Sequence, residues 1–136
     1  MKVVVDTNVL AYHLLGTPRF AAEAEEFLGA AEEILAPALW EAEIANVVWM
    51  AVRAGVLPPR QAPIRLTLAA RLGVRSVPIR ALWQGALVRS MQAGVTVYDT
   101  LFVELAERER LPLATFDRKL IQAFPALAKR PRDIAP

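Results

Sequence analysis

Apolar positions along the chain follow two periods that alternate. Val3-Val4-Val5 is an uninterrupted β-branched run, the pattern of a strand covered on both faces, and it leads straight into Asp6. Val9 to Leu15 reads as a short helix ended by Gly16. Thr17-Pro18 reads as the start of the next helix, a cap followed by proline. Phe20, Ala24, Phe27 and Leu28 give that helix an apolar face, opposite Glu23, Glu25 and Glu26. Glu33 to Pro37 is a short strand stopped by proline. From Ala38 to Arg53 the period is helical again, with Leu39, Ala42, Ile44, Val47, Val48 and Ala51 as the stripe and Gly55 as the stop.

After a turn at Leu57-Pro58-Pro59, a helix is expected from Arg60 or Gln61 to Leu72, with Pro63 in its first turn and Gly73 at its end. Val74 to Val77 suits a short strand, and Ile79 to Ala93 a helix closed by Gly94. Val95 to Tyr98 reads as extended chain or loop before a helix from Asp99 to Arg110, whose apolar side is Leu101, Phe102, Leu105 and Ala106. Pro112 to Phe116 is a strand, and Asp117 opens a short helix to Phe124. The tail from Pro125 is rich in proline and base, and Ala126 to Pro131 is too broken to read as a strand. Strands alternating with helices imply a parallel, doubly wound α/β sheet, whose ligands bind at the carboxyl ends of the strands. With no internal repeat and no linker, residues 1–136 read as a single domain.

Charge adds an asymmetry to this picture. Residues 1–50 hold eight acidic residues against Lys2 and Arg19, whereas no acidic residue lies between Ile44 and Tyr98. Arg53, Arg60, Arg65, Arg71, Arg75, Arg80 and Arg89 fall in that interval, which suits a polyanion partner, a complementary protein surface, or simply a solvated helix surface. Cysteine is absent, so disulfides and thiolate metal sites are excluded. The apolar start is cut by Asp6 and is not read as a signal peptide, and no stretch has the length of a membrane span. The expectation is a cytoplasmic protein.

Elimination narrows the chemistry. His13 is the only histidine, Ser76 and Ser90 lie in no nucleophile elbow, and there is no glycine-rich phosphate loop. Carboxylates remain. Asp6 and Asp117 both end strand-like runs, so parallel neighbouring strands would bring them to one edge of the sheet. Asp99 opens a helix after an extended stretch and could lie at that edge too. Each of the three also suits a helix N-cap, and for Asp6 the local sequence supports cap and chemistry equally. Glu43 sits at the border of the apolar face of its helix, with Asn46 three residues on, whereas Glu41 reads as exposed. A carboxylate beside a buried face is costly unless it is paired or metal-bound. Converging carboxylates without a cation raise one another's pKa or recruit a metal, and oxygen-only ligands suit Mg²⁺ or Mn²⁺. Such an ion supports water attack at phosphorus.

Four segments in order, Val3-Val4-Val5-Asp6-Thr7-Asn8-Val9-Leu10, Glu43-Ile44-Ala45-Asn46-Val47, Tyr98-Asp99-Thr100-Leu101-Phe102 and Ala114-Thr115-Phe116-Asp117, resemble the PIN-domain ribonucleases, particularly the VapC-like toxin branch of type II toxin–antitoxin pairs. The resemblance covers almost the whole chain. It implies a three-layer α/β/α fold around a mainly parallel sheet of about four to five strands. It implies Asp6, Glu43, Asp99 and Asp117 as an acidic quartet around Mg²⁺ or Mn²⁺, with Asn8 and Thr115 in support, and cleavage of RNA. It further implies a homodimer and a small cognate antitoxin protein, for which Trp40, Trp49, Met50 and Trp83 are candidate surface residues if they are not core. Two other readings are set beside it. One is a non-catalytic RNA- or protein-binding module of the same fold. The other is a haloacid-dehalogenase-like phosphatase, which expects Asp-x-Asp where this chain has Asp6-Thr7-Asn8.

Overall fold

The computed structural model describes residues 1–134. Five parallel strands form one sheet in the order β3-β2-β1-β4-β5: β1 Lys2–Val5, β2 Glu33–Pro37, β3 Val74–Val77, β4 Leu113–Ala114 and β5 Ala128–Lys129. Val3, Val4 and Val5 are fully buried, because β1 is the middle strand and has cover on both faces. Val4 lies opposite Leu35 of β2 on one side and Leu113 of β4 on the other.

Helices α1 (Thr7–Leu15), α2 (Ala21–Ala30), α3 (Leu39–Arg53) and α4 (Ala62–Ala70) contact one another. Helices α5 (Trp83–Ala93) and α6 (Val97–Glu109) form a second packed group, and α7 (Arg118–Ala123) leads into β5. With the sheet between the two groups, the architecture is three layers, α/β/α.

The order of the strands fixes where a site can form. The chain builds β1, β2 and β3 in one direction, then returns through α5 and α6 to place β4 on the other side of β1. The direction therefore reverses between β1 and β4, and such a switch point leaves a crevice outside the carboxyl ends of the strands. Val5 pairs with Ala114, so Asp6 and Thr115 leave the sheet side by side.

Several boundaries differ from the sequence expectation. Thr17 to Phe20 is a turn, and α2 starts only at Ala21, because Phe20 leaves helical geometry (φ −124) and stacks on Tyr12. The helix expected from Ile79 is interrupted: a 3-10 turn, Ile79–Ala81, precedes α5, and the Ala81 carbonyl accepts from Arg108. Val97 and Tyr98 are helical, because Thr96 is the cap of α6 and its hydroxyl accepts from the Asp99 N–H. The run from Ala126 to Pro131 does contain a strand, β5, which pairs Ala128 with Leu113 through only two residues, too few for a period to show.

On α3 the buried positions are Trp40, Ile44, Val48 and Ala51, while Ala42 is exposed. Trp40 is thus core, its indole N–H donating to Ser76, and Trp49 (53 % exposed), Met50 and Trp83 lie at the surface.

Candidate active site

At the β1–β4 switch point Asp6 closes β1 and caps α1. Its Oδ1 accepts from the Thr7 N–H at 2.8 Å, and its Oδ2 accepts from the Thr115 hydroxyl at 2.8 Å and the Asn8 amide at 3.2 Å. Capping and placement in the crevice are therefore two aspects of one position. Thr115 is fully buried, and its hydroxyl, besides donating to Asp6, accepts from Asn8 (3.2 Å) and from the Asp117 N–H (3.0 Å). One proton and two lone pairs are all used, so the group has a single orientation. Asn8 accepts the Phe116 N–H through its Oδ1, which ties α1 to the chain after β4.

Three other carboxylates line the same cavity of about 370 Å³: Glu43 from α3, Asp99 from the first turn of α6, and Asp117 from the turn before α7. Thr7 joins the first two acids. Its backbone N–H binds Asp6, and its hydroxyl donates to Glu43 Oε1 at 2.8 Å. Asp117 caps α7 through Oδ1, which accepts from Lys119 N (2.9 Å) and Leu120 N (3.4 Å). Asn46 lies away from the cavity. It is exposed and approaches Met50 Sδ, and Val47, one turn beyond Glu43, lines the cavity instead.

The electrostatics of the cavity are one-sided. Among the described residues no Lys, Arg or His lines it, and none of the four acids has an ion-pair partner. Asp6, 8 % exposed, is pushed up to about 7, first by burial and then by the charges of Asp99 and Glu43, against the hydrogen bonds from Thr115 and Thr7. Burial and the Asp99 charge raise Glu43, opposed by the Thr7 hydrogen bond. Burial and the Asp117 charge raise Asp99.

These are the conditions under which a hard divalent cation is favoured by oxygen ligands. As the side chains stand, no three acids among the described residues approach closely enough to enclose an ion. The donor chemistry nevertheless fits Mg²⁺, which keeps several waters and takes only one or two carboxylates directly.

The arginines of the acid-free segment are partly committed elsewhere. Arg75 pairs with Glu33, and Arg89 with Glu104, which also holds Arg108. Arg65 donates to the Leu14 carbonyl. Arg53 and Arg80 lie over Trp49 and Trp83.

The PIN domain family model matches residues 3–125. The chain belongs to the PIN-domain family. It is 34 % identical over 131 residues to Ribonuclease VapC3 of Pyrobaculum aerophilum, covering 93 % of this chain and 98 % of that protein. The crystal structure of PAE2754 from Pyrobaculum aerophilum superposes with a TM-score of 0.73 at 22 % identity, covering 94 % of this chain and 83 % of the other. A toxin–antitoxin complex from Klebsiella pneumoniae contains a chain with a TM-score of 0.65 at 19 % identity, covering 97 % and 99 % of the two chains. In this PIN domain the sequence-selected acids Asp6, Glu43, Asp99 and Asp117 share one cavity, and Asn8 and Thr115 bond directly to Asp6.

Among the cavity residues that the sequence pattern does not single out, Thr7 and Tyr12 carry polar groups to the site. A threonine in the first turn of a helix, such as Thr7, is unremarkable until the partner of its hydroxyl, Glu43 on another helix, is known. Tyr12 lines the cavity too, one helical turn beyond Asn8. Its signal, an aromatic four residues from a site amide, was present in the sequence but has many other meanings.

Among the described residues no helix is long and apolar enough to cross a membrane.

Proposed function

We propose that this PIN domain, spanning residues 1–136 as one unit, is an Mg²⁺- or Mn²⁺-dependent endoribonuclease and the toxin member of a type II toxin–antitoxin pair. The observation that carries the reading is an open cleft lined by four carboxylates and no cationic side chain among the described residues, in a chain related along its length to a VapC ribonuclease. Asp6, Glu43 and Asp99 would hold the ion, directly or through water, and Asp117 would complete the site or a second position. Once bound, the ion supplies Lewis-acid activation of water and neutralises charge on the phosphodiester.

The chain's own residues prepare that site. Thr115, Asn8 and the Thr7 N–H fix both oxygens of Asp6, and the Thr7 hydroxyl fixes one oxygen of Glu43. These bonds hold carboxylates that line the cavity, so they would lose little freedom when a cation arrives. RNA is the substrate class, a cognate antitoxin protein the partner, and a homodimer the working assembly, in a cytoplasmic setting.

The test is cleavage of a panel of single-stranded and structured RNAs by purified protein. Cleavage is expected with Mg²⁺ or Mn²⁺ and not with EDTA. Glu43→Gln and Asp99→Asn should each lower kcat/KM by about a hundredfold or more, a loss of about 2.7 kcal/mol of transition-state stabilisation. Asp6→Asn retaining wild-type cleavage would refute the assignment. Metal-independent RNA binding without cleavage would instead identify a binding module, and release of phosphate from small monoesters a phosphatase.

A further inference from the structure

One wall of the acidic cavity is aromatic. Tyr12 stacks on Phe20 (centroids 4.7 Å apart, planes 21° apart) and tilts against Phe116 at 5.3 Å, while Phe20 and Phe116 lie 4.8 Å apart. The three centroids form a nearly equilateral triangle, so both neighbours sit to one side of the Tyr12 ring. Arg130 lies over Phe20 and Phe116 and is held by Glu23, closing the cluster away from the cavity. Tyr12 also lines the cavity that Asp6 and Asp117 line, a cavity to which neither Phe20 nor Phe116 contributes. Its hydroxyl makes no hydrogen bond to any described residue, so packing alone does not call for a phenol here. Outside the trio stands Arg19, exposed, near the Phe20 ring and without a carboxylate partner among the described residues.

We propose that Tyr12 is a base-stacking residue: its cavity face receives an unpaired nucleobase next to the phosphodiester bound at the carboxylates, and Arg19 contacts a neighbouring phosphate. This rests on the ribonuclease reading and narrows its substrate to single-stranded RNA. An aromatic ring held rigid from behind loses little freedom on stacking, every base offers a π face, and a base inside a duplex cannot present it.

The experiment uses the full chain carrying Glu43→Gln, which permits binding to be read without cleavage, in Mg²⁺. A fluorescently labelled single-stranded oligoribonucleotide and its duplex are the probes. Tyr12→Ala should weaken binding of the single strand by about tenfold, within the range of base–aromatic stacking, and leave the duplex unchanged. Tyr12→Phe should bind within about twofold of the parent, because the ring is kept. Tyr12→Leu fills the space against Phe20 and Phe116 without a π face. It should fold and bind as weakly as Tyr12→Ala, and it decides the matter should the alanine variant unfold. An abasic nucleotide at one position of the strand should reproduce the loss, with no further loss on adding Tyr12→Leu. Arg19→Ala should flatten the salt dependence of binding.

Unchanged single-strand binding by Tyr12→Leu, or an equal loss on the duplex, overturns the proposal. So does Tyr12→Phe binding as weakly as Tyr12→Leu, which would assign the contact to the hydroxyl. Wild-type cleavage of RNA with such results leaves the ribonuclease reading standing and removes only the stacking. Tyr12-dependent binding without wild-type cleavage does the reverse.

Discussion

Replacing Asp6 by Asn removes a charge that the fold holds in an unfavourable place. The carboxyl is pushed from 3.8 up to about 7, chiefly by burial. A carboxyl with a raised folded pKa binds its proton more tightly in the folded state. Its stabilising contribution is complete below the unfolded value and is lost as pH rises through the folded one. Between about pH 4 and pH 7 the folded protein keeps this proton and the unfolded chain has released it. At about 1.4 kcal/mol per pH unit, wild type therefore loses about 4 kcal/mol relative to a neutral side chain over that interval. Asn has the shape of Asp and no charge, but it places an amide donor where Oδ2 accepts from Thr115 and Asn8. That mismatch costs about 1–2 kcal/mol at any pH.

Asp6→Asn should thus be less stable than wild type by about 1 kcal/mol near pH 4 and more stable by about 2–3 kcal/mol near pH 8. At roughly 3 °C per kcal/mol for a chain of this size, the difference in Tm swings by about 10 °C and changes sign. Thermal unfolding of both proteins followed by circular dichroism in EDTA reads this directly. Adding Mg²⁺ or Mn²⁺ near pH 8 should raise the wild-type Tm and move the variant much less, since the ion stabilises only the state that binds it. A Tm difference that stays constant between the two pH values would refute the argument from buried charge.

Two further outcomes follow from contacts around the site. Thr115→Val removes the hydroxyl that donates to Asp6 and accepts from Asn8 and the Asp117 N–H. It should cost about 1–3 kcal/mol in urea unfolding and push the Asp6 carboxyl still higher, read by carboxyl NMR titration, with Thr115→Ser restoring both. On the far side of α6, a Cβ added to Gly85 would overlap the Glu104 carboxylate, which Arg89 and Arg108 hold at 2.7 Å each. Gly85→Ala should destabilise by about 1–3 kcal/mol despite alanine's better helix propensity, and a neutral result in urea unfolding would show that Glu104 is free to move aside.

Much of the architecture follows from local pattern. The Val3–Val5 run marks a strand buried on both faces, because only such a strand can lack polar positions altogether. Alternation of that period with helical stripes implies a parallel sheet, and Gly16 and Gly94 stop their helices in left-handed geometry (φ 65 and 70) as expected. The acids were also visible, since strand ends and helix starts are where an α/β sheet exposes side chains. Boundaries were lost where a distant partner outweighed the local signal. Phe20 leaves the helix to stack on Tyr12, and the Ala81 carbonyl turns to Arg108. The strand β5 is two residues long and exists only because Leu113 offers an edge.

The site divides in the same way. The sequence by itself determined which carboxylates are present, that neither cysteine nor a histidine pair could serve in their place, that Asp6 ends a strand and that Asp117 opens a helix, although β4 stops at Ala114, short of the expected Phe116. Only the tertiary structure decided that β1 and β4 are neighbours, so that residues more than a hundred positions apart share hydrogen bonds at Asp6. It decided that the Thr7 hydroxyl, rather than Asn46, accompanies Glu43. It also decided that several arginines of the acid-free segment are already engaged. The physical reason is common to all three. Local pattern reports whether a side chain faces apolar or polar surroundings. Strand order and helix docking decide which polar group it meets there, and that choice sets both the charge of Asp6 and what it can bind.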